Sequence, residues 1–354
     1  MTAQTPPPVH HDHDQVPQFK YAMEDQEGRV NAAGSAKEAN VDEFPISEGI
    51  AAVSMKLAPG SVRELHWHAI AAEWAYMLSG HCRITVFSPD GTRETADFGP
   101  GDVWYFPRGY PHSIQALADG CHFILAFDNG KFSEFGTFSV TDWVGHTPAE
   151  VLAKNFGVPA STFAKFPKEE VYIVPGKVPP PLGLDPASGS QRTGPLTHKV
   201  SLDAQMPMKF KGGELKMVTI DQFPISTTMM GATMVVHPGA IRGLHWHPHA
   251  SEWQYVIAGK SRVTMFASHG HARTEEFGVG DIAYIPQGFG HYIENTGSED
   301  LKLLLVFNHG EYKSLDLADW LASNPRELVA TNFGVPEEVI AKLAQGGVIV
   351  GTKS

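Results

Sequence analysis

Three histidines and one glutamate occur twice in this chain of 354 residues, at matching intervals. The first set is His66, His68, Glu73 and His112; the second is His245, His247, Glu252 and His291. Each member of the second set lies 179 residues after its counterpart (245 − 66 and 291 − 112 both give 179). Three imidazoles and a carboxylate without sulfur are a mixed nitrogen and oxygen donor set, unlike a Cys-rich structural zinc centre. Four protein ligands leave two positions open on a six-coordinate ion. That suits Mn(II) or Fe(II), with room for a small oxygen donor or dioxygen. Arg63 and Arg242 each stand three residues before the first histidine of their set. A guanidinium there can grip an anionic ligand's carboxylate through two parallel hydrogen bonds.

These side chains need strands to bring them together. His66 and His68 are separated by one residue, so on a strand both point to one face. Glu73 follows a short turn and opens the run Trp74 to Leu78, which is expected to pair beside the first strand. His112 comes after the turn Pro107-Arg108-Gly109-Tyr110-Pro111 and must arrive on a third strand. Ligands converging from three strands predict a small β-barrel with a metal in its mouth. The register between the halves begins at the string FPIS, Phe44 to Ser47 and Phe223 to Ser226, and runs without a gap to His112 and His291. It marks a duplicated domain with a duplicated metal site.

Hydrophobic residues make up 42% of the chain, with 35 Gly and 26 Pro, which suits many short strands joined by tight turns. Asp90-Gly91 and His269-Gly270 read as hairpin turns after the runs Arg83 to Phe87 and Arg262 to Phe266. Helical pattern is confined to short stretches after each barrel, of which Thr147 to Asn155 and Asn324 to Asn332 are the clearest. The predicted class is all-β, two tandem barrels with short helical extensions. The expected segments are an N-terminal arm (1–40), a first domain (41–165), a linker (166–205) and a second domain (206–354). Pro179-Pro180-Pro181 and Ala187 to Gly194 give the linker its Pro/Gly/Ser character. His10, His11 and His13 lie in a segment read as a solvated tail.

Cys82 and Cys121 are too few for a disulfide framework and read as buried small hydrophobes. No apolar run reaches membrane-spanning length. Met1 to Val16 shows no secretory pattern, so a cytoplasmic location is expected. A net charge of −12 argues against nucleic acid and anionic membrane as partners. Attraction of an anionic substrate must then be local, from the metal and a nearby arginine.

The motif G-x5-H-x-H-x4-E-x6-G fits Gly60 to Gly80 and Gly239 to Gly259, and G-x5-P-x-G-x2-H fits Gly101 to His112 and Gly280 to His291. On these motifs the chain resembles the cupin superfamily, and the resemblance covers most of it. It implies a bicupin, two jelly-roll-type barrels in one polypeptide, and favours manganese, two ions per chain, with iron as the alternative. The asparagine that usually closes the second motif is Asn295 in one copy and Ala116 in the other.

The halves lose step after the ligands. Twelve residues separate Gly130 from Trp143, and nine separate Gly310 from Trp320. The longer loop contains Ser133-Glu134-Phe135-Gly136 and suggests a lid with a proton donor on one site only. The strings Arg63 to His68, Ala72 to Met77, Pro111 to Gln115 and Phe132-Ser133-Glu134 resemble the bacterial oxalate decarboxylases. That resemblance implies a Ser-Glu-Asn-Ser lid whose acid corresponds to Glu134, with Phe135 and Gly136 departing from its last two positions. It further implies a small dicarboxylate substrate held by Arg63, dioxygen as co-substrate, and catalysis mainly at the first site. A homohexamer clasped by the helical extensions is also implied. Rival readings are an oxalate oxidase releasing hydrogen peroxide, a ring-cleaving bicupin dioxygenase, and a storage or sugar-binding bicupin.

Overall fold

The computed structural model describes residues 16–132, 136–183, 197–343 and 347–351. The chain divides into two compact units: one takes residues 23–205 and 218–230, the other residues 1–22, 206–217 and 231–354.

The first unit is built on an eleven-stranded sheet. Its central order is Lys199–Ser201, Asp102–Phe106, Glu73–Phe87, His112–Phe127, Ala51–Leu57, Gly34–Ala39 and Arg29–Asn31. Val62–His68 joins through His112–Phe127 and carries Thr137–Ser139 and Ile173–Val174, while Arg93–Phe98 pairs with Glu73–Phe87. The two long strands are bulged where register shifts between Met77 and Ser79 and between Gly80 and Cys82. Such bulges bend a strand and let one sheet wrap over the core. Gly80, at φ 69°, is required there: a Cβ would stand 2.1 Å from the Gly120 carbonyl oxygen. Trp104, Phe106, Phe123, Phe127, Met77 and Ile114 fill the interior and are almost fully buried. Cys82 and Cys121 are buried, unpaired thiols, as expected from the sequence.

The second unit has two sheets. One runs Lys20–Ala22, Asp281–Ile285, Glu252–Ala258, Leu301–Phe307, Met230–Val236, Gly213–Val218, Met208–Phe210. The other runs Ala272–Phe277, Ser261–Phe266, Gly290–Asn295, Ile241–Trp246 and Leu315–Asp316, with Ile349–Val350 also on Ile241–Trp246. These sheets form a jelly roll and do not close into a continuous barrel. Buried Asn295 closes the turn after Gly290–Asn295, donating to the Val236 and Glu299 carbonyls at 2.7 and 2.8 Å. Ala116, its counterpart, lies inside the unbroken strand His112–Phe127, which has no such turn to hold.

Four differences from the sequence reading stand out. Residues 17–40 are not a free arm: Phe19 is fully buried and Lys20–Ala22 pairs with Asp281–Ala283. The segment read as a linker supplies Ile173–Val174 and Lys199–Ser201 to the first unit, while Ala187 to Gly194 lies outside the described residues. The run from Glu73 does not pair with Val62–His68; both strands pair with His112–Phe127 instead. Each predicted helix is the second of a pair: Val140–His146 precedes Ala149–Phe156, and Leu317–Ala322 precedes Arg326–Phe333. The leading helices bury no residue, although each carries apolar residues three and four apart: Val140, Trp143 and Val144 in one, Leu317, Trp320 and Leu321 in the other. Gly157 and Gly334, both left-handed, end the second helices. Among the described residues no helix is long and apolar enough to cross a membrane.

Candidate metal centres

The structure brings together both sets of ligands expected from the sequence. In each set the four donor atoms lie within 4.8 Å of one another, and all eight residues are buried. His66 and His68 share a face of Val62–His68, and His66 stands opposite His112 in the adjoining strand. Glu73 enters at the start of its own strand, where Glu73 pairs with Phe127 and Phe106. The second set repeats this, with His245 opposite His291 and Glu252 opposite Phe307 and Ile285.

Every ligand histidine has its Nδ1 engaged. His66 faces the Glu64 carbonyl at 2.6 Å, His112 the Tyr110 carbonyl at 2.9 Å, and His68 the Thr137 hydroxyl at 3.0 Å. His245, His247 and His291 face the carbonyls of Gly243, Lys313 and Phe289 at 2.7, 2.7 and 3.1 Å. An Nδ1–H donated outward leaves the Nε2 lone pair aimed at the centre, the tautomer a metal needs. The Nε2 atoms crowd the carboxylates: His68 and His112 lie 3.0 and 3.3 Å from Glu73 Oε2, and His247 and His291 lie 2.8 and 3.1 Å from Glu252 Oε2. Yet among the described residues Nε2 of His112 and of His247 is buried without a well-aligned hydrogen bond, these carboxylate contacts included. Buried nitrogen lone pairs around a carboxylate are what a divalent cation satisfies, so both donor sets fit one.

Their protonation states agree. Burial, reinforced by the Arg63 guanidinium, holds the His66 pKa well below the usual imidazole range. Burial likewise lowers His68 despite Glu73 beside it, and lowers His245 with help from His291 and Arg242. Burial opposes the charge on Glu73, but His112 and His68 outweigh it and keep the carboxyl well below its ordinary range. His291 and His247 do the same for Glu252. Neutral His66, His68 and His245 beside ionised Glu73 and Glu252 are in their ligating forms.

The centres differ in what surrounds them. In the first, the indole Nε1–H of Trp104 donates to Glu73 Oε1 at 2.7 Å. In the second, the Gln254 carboxamide donates to Glu252 Oε1 at 2.9 Å. The counterparts are Ala283 for Trp104 and Ala75 for Gln254, so each copy supplies its donor from a different strand.

The two arginines differ more. Arg63 lines a narrow cavity with His66, His68, Glu73, Phe127, Phe132 and Tyr172. It donates to the Tyr172 carbonyl at 3.2 Å and lies over that ring at 4.1 Å, but Glu64 and Glu170 are 4.0 and 3.8 Å away. Arg242 is committed to its own domain, with Nη1 on Asp316 at 2.6 Å and on the Val348 carbonyl at 3.1 Å, and Nη2 on Ser314 at 2.8 Å. Asp316 stands opposite His245 in the strand pairing, where Ser139 stands opposite His66. A serine in one copy therefore stands where the other has the carboxylate that binds its arginine.

Sequence reasoning missed Ser139, Asp316, Trp104, Gln254 and Glu64. Glu64 is buried, accepting from Thr141 Oγ1 at 2.5 Å and from the Tyr172 N–H at 3.0 Å, and so holds the segment that stacks on Arg63. The signal was available: at these positions the halves differ while the ligands around them match. Glu134, with Ser133 and Phe135, lies outside the described residues. Phe132 stacks on Phe127 at 3.8 Å and meets His68 edge-on at 5.3 Å. Gly136 accepts the Ala69 N–H at 2.8 Å, and a Cβ on it would lie 2.7 Å from the Ile70 side chain. Glycine at this position therefore accommodates Ile70.

The profile of the Cupin family matches residues 22–162 and again 201–341. The chain is 44% identical to oxalate decarboxylase OxdC of Bacillus subtilis over 94% of its length and 86% of that enzyme's. It is 36% identical to a probable oxalate decarboxylase of Arthroderma benhamiae, over 94% of this chain and 82% of that one. A solved structure of a mutant of the Bacillus subtilis enzyme superposes with a TM-score of 0.90 at 42% identity, covering 97% of this chain and 91% of that one. Another solved structure of that enzyme, described with Mn(II) centres, matches with a TM-score of 0.89, 42% identity and coverage of 97% and 91%. The chain belongs to the cupin family and, within it, to the two-domain oxalate decarboxylases.

Proposed function

We propose that this enzyme converts oxalate to formate and carbon dioxide, chiefly at the first domain, with manganese in both donor sets and dioxygen as co-substrate. One observation carries the choice of domain: Arg63 lines the first donor set's cavity with its nearest carboxylates among the described residues at 3.8 and 4.0 Å, while Arg242 is bonded directly to Asp316 at 2.6 Å. The Mn(II) centres described for the Bacillus subtilis relative support the choice of metal.

The net reaction balances without an external reductant: hydrogen oxalate becomes formate and carbon dioxide, and one proton ends on carbon. Oxalate's carbon–carbon bond is hard to break because its carboxylates offer no electron sink. A bound manganese ion with dioxygen would supply the reversible one-electron oxidation that weakens it. The chain's residues do the rest. Arg63 binds and polarises the carboxylate that remains, and the Tyr172 carbonyl and ring hold the guanidinium in place. Glu134 delivers the proton to the carbon from which carbon dioxide has left. Phe127 and Phe132 wall the cavity and keep water and competing oxidation away. His66, His68, Glu73 and His112 hold the ion, and the second set holds another whose role is to stabilise its domain.

Formate and peroxide measured together on oxalate with manganese-loaded enzyme test this reading. Formate is expected as the main product, and peroxide in stoichiometric yield would instead make the protein an oxidase. A homohexamer is part of the proposal. Exposed Trp143, Val151 and Phe156 on one helix pair, and Trp320, Leu328 and Phe333 on the other, support association through these faces. Light scattering showing only monomer at micromolar concentration would contradict it.

A further inference from the structure

A second cluster of metal-ligating side-chain types sits on the second domain, outside both donor sets. His249 lies on the turn between Ile241–Trp246 and Glu252–Ala258, and His309 and Glu311 lie on the turn after Leu301–Phe307. Their donor atoms fall within 4.8 Å of one another. The two imidazoles face each other at 4.2 Å between ring centroids, tilted by 35°. Both ring nitrogens of His249 are shielded from solvent, and neither has a hydrogen-bond partner among the described residues. A shielded imidazole with two idle nitrogens against a second imidazole is an incomplete arrangement, because such groups are nearly always satisfied.

The first domain shows what is missing. At the equivalent positions it has Ile70, Asn129 and Lys131, and there the two turns are tied by Asn129 Nδ2 donating to the Ile70 carbonyl at 3.2 Å. Both domains keep the neighbouring tie: Ala72 N–H to Asp128 at 2.8 Å, and Ser251 N–H to Asn308 at 2.8 Å. Only in the second domain is the asparagine bond replaced by two histidines and an acid.

We infer that His249, His309 and Glu311 bind a third divalent ion of the zinc class, with water completing its shell, and that this ion clamps the two turns together. Two imidazoles and one carboxylate suit zinc, and imidazole-rich sites take zinc ahead of manganese. The bonds it would displace are weak: an exposed Glu311–Lys313 pair at 2.9 Å, and a 3.1 Å contact from the Glu311 N–H to His309 Nδ1. The clamped turn leads to Lys313, whose carbonyl accepts the Nδ1–H of His247, so the ion would steady one ligand of the second centre.

The test titrates the full-length, manganese-loaded enzyme with zinc chloride by calorimetry, with both metals counted by mass spectrometry after desalting. One zinc per chain is expected in addition to the manganese, with manganese content and formate turnover unchanged. In a His249→Ala/His309→Ala variant this zinc is lost, and in Glu311→Gln its affinity falls at least tenfold, again with manganese retained. Three results overturn the inference: no added zinc, zinc gained only as manganese is released, or equal uptake by wild type and the double variant. The last would place the ion elsewhere, for instance on His10, His11 and His13.

Discussion

Ser139→Asp should convert the first centre into a copy of the second. Ser139 faces His66 in the strand pairing as Asp316 faces His245, and Asp316 holds Arg242 at 2.6 Å. A carboxylate at Ser139 would therefore capture Arg63. The fold should tolerate it: Ser139 is the N-cap of Val140–His146, accepting from the Asp142 N–H, and aspartate caps as well as serine. Capturing Arg63 removes a charged hydrogen bond to the substrate carboxylate, worth about 1.5–3 kcal/mol. At 1.36 kcal/mol per decade, kcat/KM for oxalate should fall by roughly 10- to 150-fold. The assay is steady-state formate release, with manganese content measured on the same samples. Manganese should stay at the wild-type level, and the reverse change, Asp316→Ser, should leave formate release within about twofold. A Ser139→Asp variant with normal metal and kcat/KM within twofold of wild type would refute Arg63 as the substrate clamp.

Three further outcomes are expected. Trp104→Phe removes the indole donor from Glu73 and should weaken manganese at the first centre by about 10–100-fold in chelator competition, leaving the second unchanged; equal weakening of both would show a general packing defect. Glu134→Ala should lower formate output by about 10²–10⁴-fold while peroxide persists or rises, with Glu311→Ala as the control; normal formate from the Glu134 variant would require another proton source. The metal-free protein should lose stability on acidification. His66, His68 and His245 sit below their ordinary value of 6.5, so below that pH the unfolded chain takes up protons that the folded chain refuses. Glu73 and Glu252 act in the same direction below their ordinary 4.5. The melting temperature without metal should therefore fall steadily from pH 7.5 towards pH 5, and a flat or rising profile would contradict the burial argument.

The metal ligands were legible because their chemistry forces spacing: two histidines one residue apart on a strand, repeated after a fixed interval. The duplication was legible for the same reason. What surrounds the ligands was not, because it depends on long-range pairing. Nothing local to Ser139 says that it will face His66, and nothing local to Trp104 says that its indole will reach Glu73 on a neighbouring strand. The partner of Glu73's strand was misjudged because adjacency in sequence suggested Val62–His68, whereas His112–Phe127 lies between them in the pairing. The short leading helices escaped because seven and six residues are too few for a helical period to stand out.

The central claim is that the first domain does the chemistry, and the most direct test removes one metal at a time. His66→Ala should leave about one manganese per chain, still bound by His245, His247, Glu252 and His291, and produce no measurable formate. His245→Ala should lose the other ion yet continue to make formate from oxalate. Formate at the wild-type rate from a His66→Ala enzyme whose first centre is empty would contradict the account.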